Sequence, residues 1–155
     1  MNLKSLTTAS RFPLLGAPLS LDLVNTRIRR DGADVDLLDR PLALTAWLAA
    51  EANRQSWSGA VTAADLQAVR ALRDTIAALL AARRAGVPPP PAALRAINKI
   101  LSTSASTTKL VWASAGPRVK VQAAMSKRDA LLHALATDVV GILVSPKSKL
   151  LRTCE

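Results

Sequence analysis

The sequence has little of what marks a disulfide-bonded scaffold, a metal site or an aromatic core. Its 155 residues include one cysteine, one histidine, one phenylalanine, three tryptophans and no tyrosine. A lone cysteine forms no internal disulfide, so the fold must be held by its apolar core, as expected of a cytoplasmic protein. A structural zinc site needs four ligands, usually Cys or His, and this sequence cannot supply them. We therefore predict neither a metal site nor a cofactor in this chain.

Long apolar runs are also missing, although half of the residues are hydrophobic. The longest stretches, such as 76–82, fall far short of the roughly 20 residues that cross a bilayer. Near the N-terminus Pro13, Gly16, Pro18 and Asp22 interrupt a segment that loosely resembles a signal peptide. The sequence thus predicts no membrane span and a cytoplasmic location.

Acidic residues are scarce in the second half of the chain. Residues 1–82 carry nine basic and eight acidic groups, whereas residues 83–155 carry twelve and three. Such an excess of positive charge is typical of a surface near nucleic acid, because basic side chains displace counterions from phosphates. The alternative, which the scattered placement of the charges favours, is a solvated basic surface.

Alanine and leucine dominate the hydrophobic residues and favour helices over sheets. Apolar residues at spacings of three and four predict about five helices. The clearest follows the capping pattern of Thr62 and Asp65 and ends near Gly86. Pro91 is predicted to open the next helix, and Ser126 the last.

Helix periodicity is absent from two segments. The charged stretch 27–36 is predicted to be a surface loop, whereas 109–112 and 118–121 alternate around Gly116 and predict a β-hairpin. Among the tryptophans, Trp47 and Trp112 are predicted to pack in the core and Trp57 to lie near the surface. The predicted fold is mainly α: a single domain of about five helices, with one β-hairpin between the last two long helices.

Several motifs follow one another in a characteristic order. They are Pro-Leu-Ser-Leu-Asp-Leu-Val-Asn-Thr at 18–26, Asp-Leu-Leu at 36–38, a Trp-Leu helix at 47–48, Val-Arg-Ala-Leu-Arg at 69–73, the hairpin, and Leu-Leu-Arg-Thr-Cys at 150–154. Taken together, the chain resembles the ABATE domain of the CGNR zinc-finger family, proposed bacterial stress-induced transcription regulators. The resemblance covers roughly residues 16–154.

The resemblance implies how the chain is organised. Residues 1–15 are expected to be a loose N-terminal extension, 16–149 an ABATE-like helical domain, and 150–155 the truncated start of a zinc finger. In the family that finger begins with a cysteine in a position like that of Cys154 and carries DNA recognition. Zinc and DNA are therefore expected only where the finger is present.

Five polar residues are candidates for ligand binding. Asp22 and Asn25 are three apart, so on a helix they can form one polar patch with the neighbouring Thr26. The alternative is local hydrogen bonding that caps backbone groups. Arg70 and Arg73 can form a charged stripe toward a ligand, and the alternative is a solvated helix face.

No catalytic residue is predicted. The sequence has no glycine-rich phosphate loop and no Ser/His/Asp set, and His133 lacks partners for acid-base work. The predicted function is the ligand-sensing or interaction domain of a stress-responsive transcription regulator, without its zinc finger. Two alternatives stay open: a small-molecule enzyme with a pocket near Asp22 and Asn25, or a helical assembly module that forms a homodimer.

Overall fold

Five helices and four strands make up the part of the chain that a computed structural model describes. That part comprises residues 12–103, 106–123, 125–146, 148 and 151, with the backbone alone at 106–109 and 121–123. In chain order the elements are α1 (Leu19–Val24), β1 (Arg27–Arg30), β2 (Ala33–Asp36), α2 (Pro41–Ala50), α3 (Ala63–Ala85), α4 (Pro91–Leu101), β3 (Ser106–Ala113), β4 (Gly116–Ala123) and α5 (Lys127–Val144).

The long helix α3 lies at the centre of the helical body and packs against the other four helices. It begins at a capping box in which Thr62 accepts from the Asp65 N–H at 3.2 Å, while the Asp65 carboxylate accepts from the Thr62 N–H at 2.8 Å. It ends at Gly86, whose φ of +68° is the left-handed conformation that glycine adopts most readily. Both predicted ends of this helix are confirmed.

The starts of the other long helices follow ordinary capping chemistry. Pro91 occupies the first turn of α4, and the side chain of Ser126 accepts from the Asp129 N–H at the start of α5, as predicted. At α2 the N-cap is Arg40, and no side chain caps the helix. Trp47 is fully buried in the core, as expected, together with apolar residues from every helix: Leu23, Leu44, Val69, Ile76, Ile97, Leu135 and Val139.

The predicted fold class, mainly α with one hairpin, is wrong, because the described residues contain a second antiparallel hairpin. Strands β1 and β2 pair where a loop was expected, with Ile28 opposite Val35. Asp31 and Gly32 form the turn with positive φ values of 51° and 79°, as a two-residue hairpin turn requires. The protein is therefore mixed α/β, although mostly helical. Only Ile28 and Val35 pack against the core, which explains why hydrophobic periodicity gave no sign of these strands.

The β3–β4 hairpin is present where it was predicted, but its strands are longer and its environment is different. Trp112 is 77% exposed, so its predicted core packing is wrong. The reason is that the two strands pair with each other and no helix covers them appreciably. Trp57 is half-buried at the edge of the core. Among the described residues, no helix combines the length and apolar character needed to cross a bilayer.

Candidate functional site

A buried arginine joins three elements of the fold. Arg73 on α3 is 1% exposed and donates from Nη1 to Asp36 Oδ1 at 2.7 Å and from Nη2 to Asp36 Oδ2 at 2.6 Å. The same Nη1 donates to Thr26 Oγ1 at 2.9 Å, and Arg70 adds a bond to Asp36 Oδ2 at 2.9 Å. We call these four residues the Arg73 cluster. It ties the end of α1 and the end of β2 to the central helix.

The electrostatics of the Arg73 cluster favour full ionisation. The hydrogen bonds from Arg73 hold the pKa of Asp36 well below its usual range, despite the opposing effect of burial, and the Leu38 N–H adds to the shift. Thr26 Oγ1 donates onward to the Leu23 carbonyl at 2.6 Å. Within the described residues, Arg73 Nε is the one buried atom of the cluster without a hydrogen-bond partner.

A second polar cluster lies between α1 and the end of α2. Asp22 is 1% exposed and Glu51 is 3% exposed, and Arg54 Nη1 donates to Asp22 Oδ2 at 2.6 Å and to Glu51 Oε2 at 3.0 Å. Arg54 Nη2 also donates to the Ala17 carbonyl. Burial raises the pKa of Glu51, and the charge of Arg54 opposes that effect only in part. These three side chains form the Arg54 cluster.

The structure divides the five predicted ligand-binding residues between different places. Thr26, Arg70 and Arg73 meet in the Arg73 cluster, whereas Asp22 belongs to the Arg54 cluster. Asn25 is the C-cap of α1 and makes no side-chain hydrogen bond to the part of the chain that is described. Ligand binding by these residues stays a prediction. In the structure, the side chains of Arg70 and Arg73 donate their hydrogen bonds to protein groups.

Sequence reasoning missed Asp36, Glu51 and Arg54 as members of these clusters. In the sequence Asp36 stands out only as the first residue of the Asp-Leu-Leu motif. In the structure it is the last residue of β2. Glu51 and Arg54 follow α2 in a segment without periodicity. A cluster assembled from residues more than thirty positions apart, such as Arg54 with Asp22, leaves no local spacing pattern to read.

A pocket of about 380 Å³ opens beside the Arg54 cluster. We call it the Trp57 pocket. Lys127 Nζ lies 4.9 Å from the centre of the Trp57 ring and donates to the Ser58 carbonyl at 2.9 Å. One wall comes from the segment after α2 and the other from the first turns of α5: Asn53, Arg54, Gln55, Ser56, Trp57, Lys127, Ala130, Leu131 and Ala134. Among the described residues, the lining thus includes two cations and no carboxylate.

A second pocket of about 500 Å³ lies between α1 and the C-terminal part of α5. Its lining is largely apolar, and its carboxylate, Asp138, accepts from the Ser20 N–H at 2.9 Å and from the Ser20 hydroxyl. None of the five predicted ligand-binding residues lines this pocket or the Trp57 pocket. The pocket expected near Asp22 and Asn25 stays a prediction: Arg54, which binds Asp22, lines the Trp57 pocket, but neither expected residue does.

Candidate metal ligands do not converge in the described residues, where no three His, Cys, Asp or Glu side chains are placed to share an ion. His133 lies partly exposed on α5 with Thr137 Oγ1 3.5 Å from its Nδ1. Cys154, the expected first ligand of a zinc finger, lies outside the described residues, as do residues 1–11 of the predicted extension. Phe12, the first described residue, is buried in the core.

Comparison with family models identifies a family for most of the chain. The family model ABATE, described as "Putative stress-induced transcription regulator", matches residues 17–146. No curated protein and no solved structure matches the chain.

Proposed function

The chain belongs to the ABATE family, and from that premise we propose that it is the sensor domain of a stress-responsive transcription regulator in the cytoplasm. DNA recognition would come from a zinc finger of the kind that accompanies this domain in the family. The observation that carries the sensing role is the Trp57 pocket. Its volume of about 380 Å³ falls in the range typical of small-molecule sites.

The lining of the Trp57 pocket defines the ligand class as a small organic anion with an apolar body. Lys127 and Arg54 supply positive charge, and none of the lining residues in the described part of the chain is acidic. Charge-assisted hydrogen bonds to a carboxylate are the strongest available to such a site. The Trp57 ring, Leu131 and neighbouring alanines offer an apolar surface to the rest of the ligand.

Arg54 links the pocket to the rest of the fold. Its Nη1 already holds the carboxylates of Asp22 and Glu51, and its Nη2 holds the Ala17 carbonyl just before α1. A ligand carboxylate competes with these groups for the same guanidinium. Ligand binding therefore loosens the connection between α2 and α1, which changes how the N-terminal part of the domain is held.

Thermal unfolding with a panel of monocarboxylates from acetate to naphthoate tests the sensing role. We expect benzoate or naphthoate to raise the Tm of the full chain, and the uncharged benzamide to leave it unchanged. Lys127→Met should weaken carboxylate binding about tenfold, because it removes one charge-assisted hydrogen bond. Lys99→Met, on the exposed side of α4, is the matched control and should bind like the wild type.

Two results would contradict the proposal. The first is the absence of any stabilisation by the acids in the panel at millimolar concentration. The second is equal binding by the Lys127→Met and wild-type proteins, which would place the acid elsewhere on this basic chain.

A further inference from the structure

The β3–β4 hairpin presents an apolar face that the described part of the chain leaves uncovered. In its register Leu110 pairs with Val119, and Trp112 pairs with Pro117 next to the turn. Paired residues share a face of an antiparallel ribbon. Leu110 is 69% exposed and Val119 is 66% exposed. Exposed apolar surface of this kind marks an interaction site.

The opposite face of the hairpin carries positive charge. Arg118 pairs with Val111, and Lys120 lies two residues further along the same strand, so both belong to the other face. Both side chains are exposed and make no ion pair with the described residues. The ribbon therefore has one apolar and one cationic face.

The hairpin lies within a long segment that has no negative charge. Between residues 75 and 128 the sequence contains nine lysines and arginines and no acidic residue. They are Arg83, Arg84, Arg95, Lys99, Lys109, Arg118, Lys120, Lys127 and Arg128. A partner that complements this segment must itself be densely negative.

We propose that the β3–β4 hairpin is an arm that binds in the major groove of duplex DNA, independently of the ligand pocket and of a zinc finger. A two-stranded ribbon fits that groove, where an apolar side chain can contact the methyl group of thymine. The ribbon is narrow, so the long side chains of Arg118 and Lys120 reach phosphates at the groove walls. Trp112 and Pro117, beside the turn, meet the base edges.

Charge decides between DNA and a second copy of the chain as the partner. Each copy carries a net charge of +10, so two basic segments brought together repel each other, whereas DNA releases counterions when it binds them. Duplex RNA is disfavoured, because its major groove is too deep and narrow for side chains to read. Charge complementarity and the shape of the ribbon thus point to the same partner.

Fluorescence anisotropy with a labelled DNA duplex of about two helical turns tests the arm. The variant Arg118→Ala/Lys120→Ala should bind about tenfold more weakly than the wild-type chain, and its dependence on salt between roughly 50 and 200 mM should fall by a slope of about 2. The matched control is Arg29→Ala/Arg30→Ala, which removes the same charge from two exposed positions of the β1–β2 hairpin. The control should bind within about twofold of the wild type.

Trp112→Ala separates the apolar contribution from the charge. We expect it to weaken duplex binding several-fold with an unchanged salt slope, because no cation is lost. Circular dichroism and sedimentation of each variant verify the fold and the oligomeric state. Since Trp112 touches no helix appreciably, its removal should leave both unchanged.

Four outcomes overturn the proposal. The first is that the chain fails to bind duplex DNA. The second is that the arm and control variants lose affinity equally, which would indicate unspecific attraction to the whole surface. The third is that a duplex of RNA or a single strand of DNA binds more tightly than duplex DNA. The fourth is that Trp112→Ala converts a dimer into a monomer without affecting DNA binding, which would assign the apolar face to a second copy.

Discussion

The two hairpins differ both in sequence and in environment, and the more apolar hairpin is the one that the helices do not cover. The β1–β2 hairpin is short and mostly charged, yet its Asp36 is bound by two arginines of α3 and its Arg27 by Asp74 at 3.1 Å. The β3–β4 hairpin has strands of eight residues with a more apolar sequence, yet no helix covers it appreciably. Apolar content alone therefore does not determine which hairpin joins the body of the protein.

What holds the first hairpin is a set of charged groups that the body supplies. Arg73 is buried and needs a compensating carboxylate, and β2 ends at the residue that provides it. The second hairpin contains no acidic residue and no described ion pair to the helices. An isolated two-stranded hairpin is only marginally stable in water, so its lasting order depends on what binds it.

The largest effect should come from removing the carboxylate that attaches the first hairpin. Asp36→Ala leaves the charge of Arg73 buried without its main partner and should lower the free energy of unfolding by about 3–5 kcal/mol. Asp34→Ala, on the exposed part of the same strand, should change it by less than about 0.5 kcal/mol. Urea denaturation measures both.

A double variant that removes both charges of the Asp36–Arg73 pair tests whether the loss comes from the unpaired arginine. Asp36→Leu combined with Arg73→Met removes both charges and should recover most of the lost stability, because a buried ion pair replaced by apolar residues is often neutral. If Asp36→Ala costs no more than Asp34→Ala, the Arg73 cluster does not hold the hairpin.

A smaller effect should come from matched apolar truncations in the two hairpins. Ile28→Ala removes a side chain that packs against the core and should cost about 1–2 kcal/mol of unfolding free energy. Leu110→Ala removes one that is exposed and should cost less than about 0.5 kcal/mol. Equal costs in urea denaturation would show that the second hairpin is covered by the body in solution.

The smallest effect should be a pH dependence that only the first hairpin carries. Because Arg73 lowers the pKa of Asp36, this residue stabilises the fold above its unfolded pKa of about 3.9, and the contribution is lost as the pH falls. Between pH 5 and pH 3 the difference in unfolding free energy between wild type and Asp36→Asn should shrink by about 1 kcal/mol.

The pKa of a second acidic residue, Asp65, is also lowered, but its contribution cancels when wild type is compared with Asp36→Asn. Burial acts to raise the pKa of Asp65, but the hydrogen bonds from Thr62 and Arg128 outweigh it and lower the pKa. Asp65 therefore contributes to both proteins alike and cancels in their difference. A difference that stays constant across this pH range would show that the pKa of Asp36 is not lowered in the folded state.

The helices were predictable because their signals are local. Thr62, Asp65 and Gly86 act within a few residues of the ends that they define, and the apolar stripe of α3 repeats along its whole length. The β1–β2 hairpin also had a local signal, the Asp31-Gly32 pair that favours a tight turn. It was missed because the flanking strands bury one residue each and so lack hydrophobic alternation.

The candidate site was predictable only in part. Arg70, Arg73 and Thr26 were selected from sequence, but not the Asp36 carboxylate that unites them, because the bonds connect positions 37 and 47 residues apart. For the same reason, the contact between Arg54 and Asp22, which are 32 residues apart, was not predicted. Trp112 was misplaced because its apolar neighbours fit a buried strand as well as an uncovered one, and only the arrangement of helices decides between the two.

The position of Arg73 in the chain has a consequence for synthesis. As the polypeptide leaves the ribosome, α1 and the β1–β2 hairpin emerge before the α3 residue that binds both of them. Until the middle of α3 has been translated, Thr26 and Asp36 have no guanidinium to meet. Cotranslational folding of the N-terminal third must therefore wait for the central helix, whereas the pairing of β3 with β4 involves neighbouring residues alone and requires no later part of the chain.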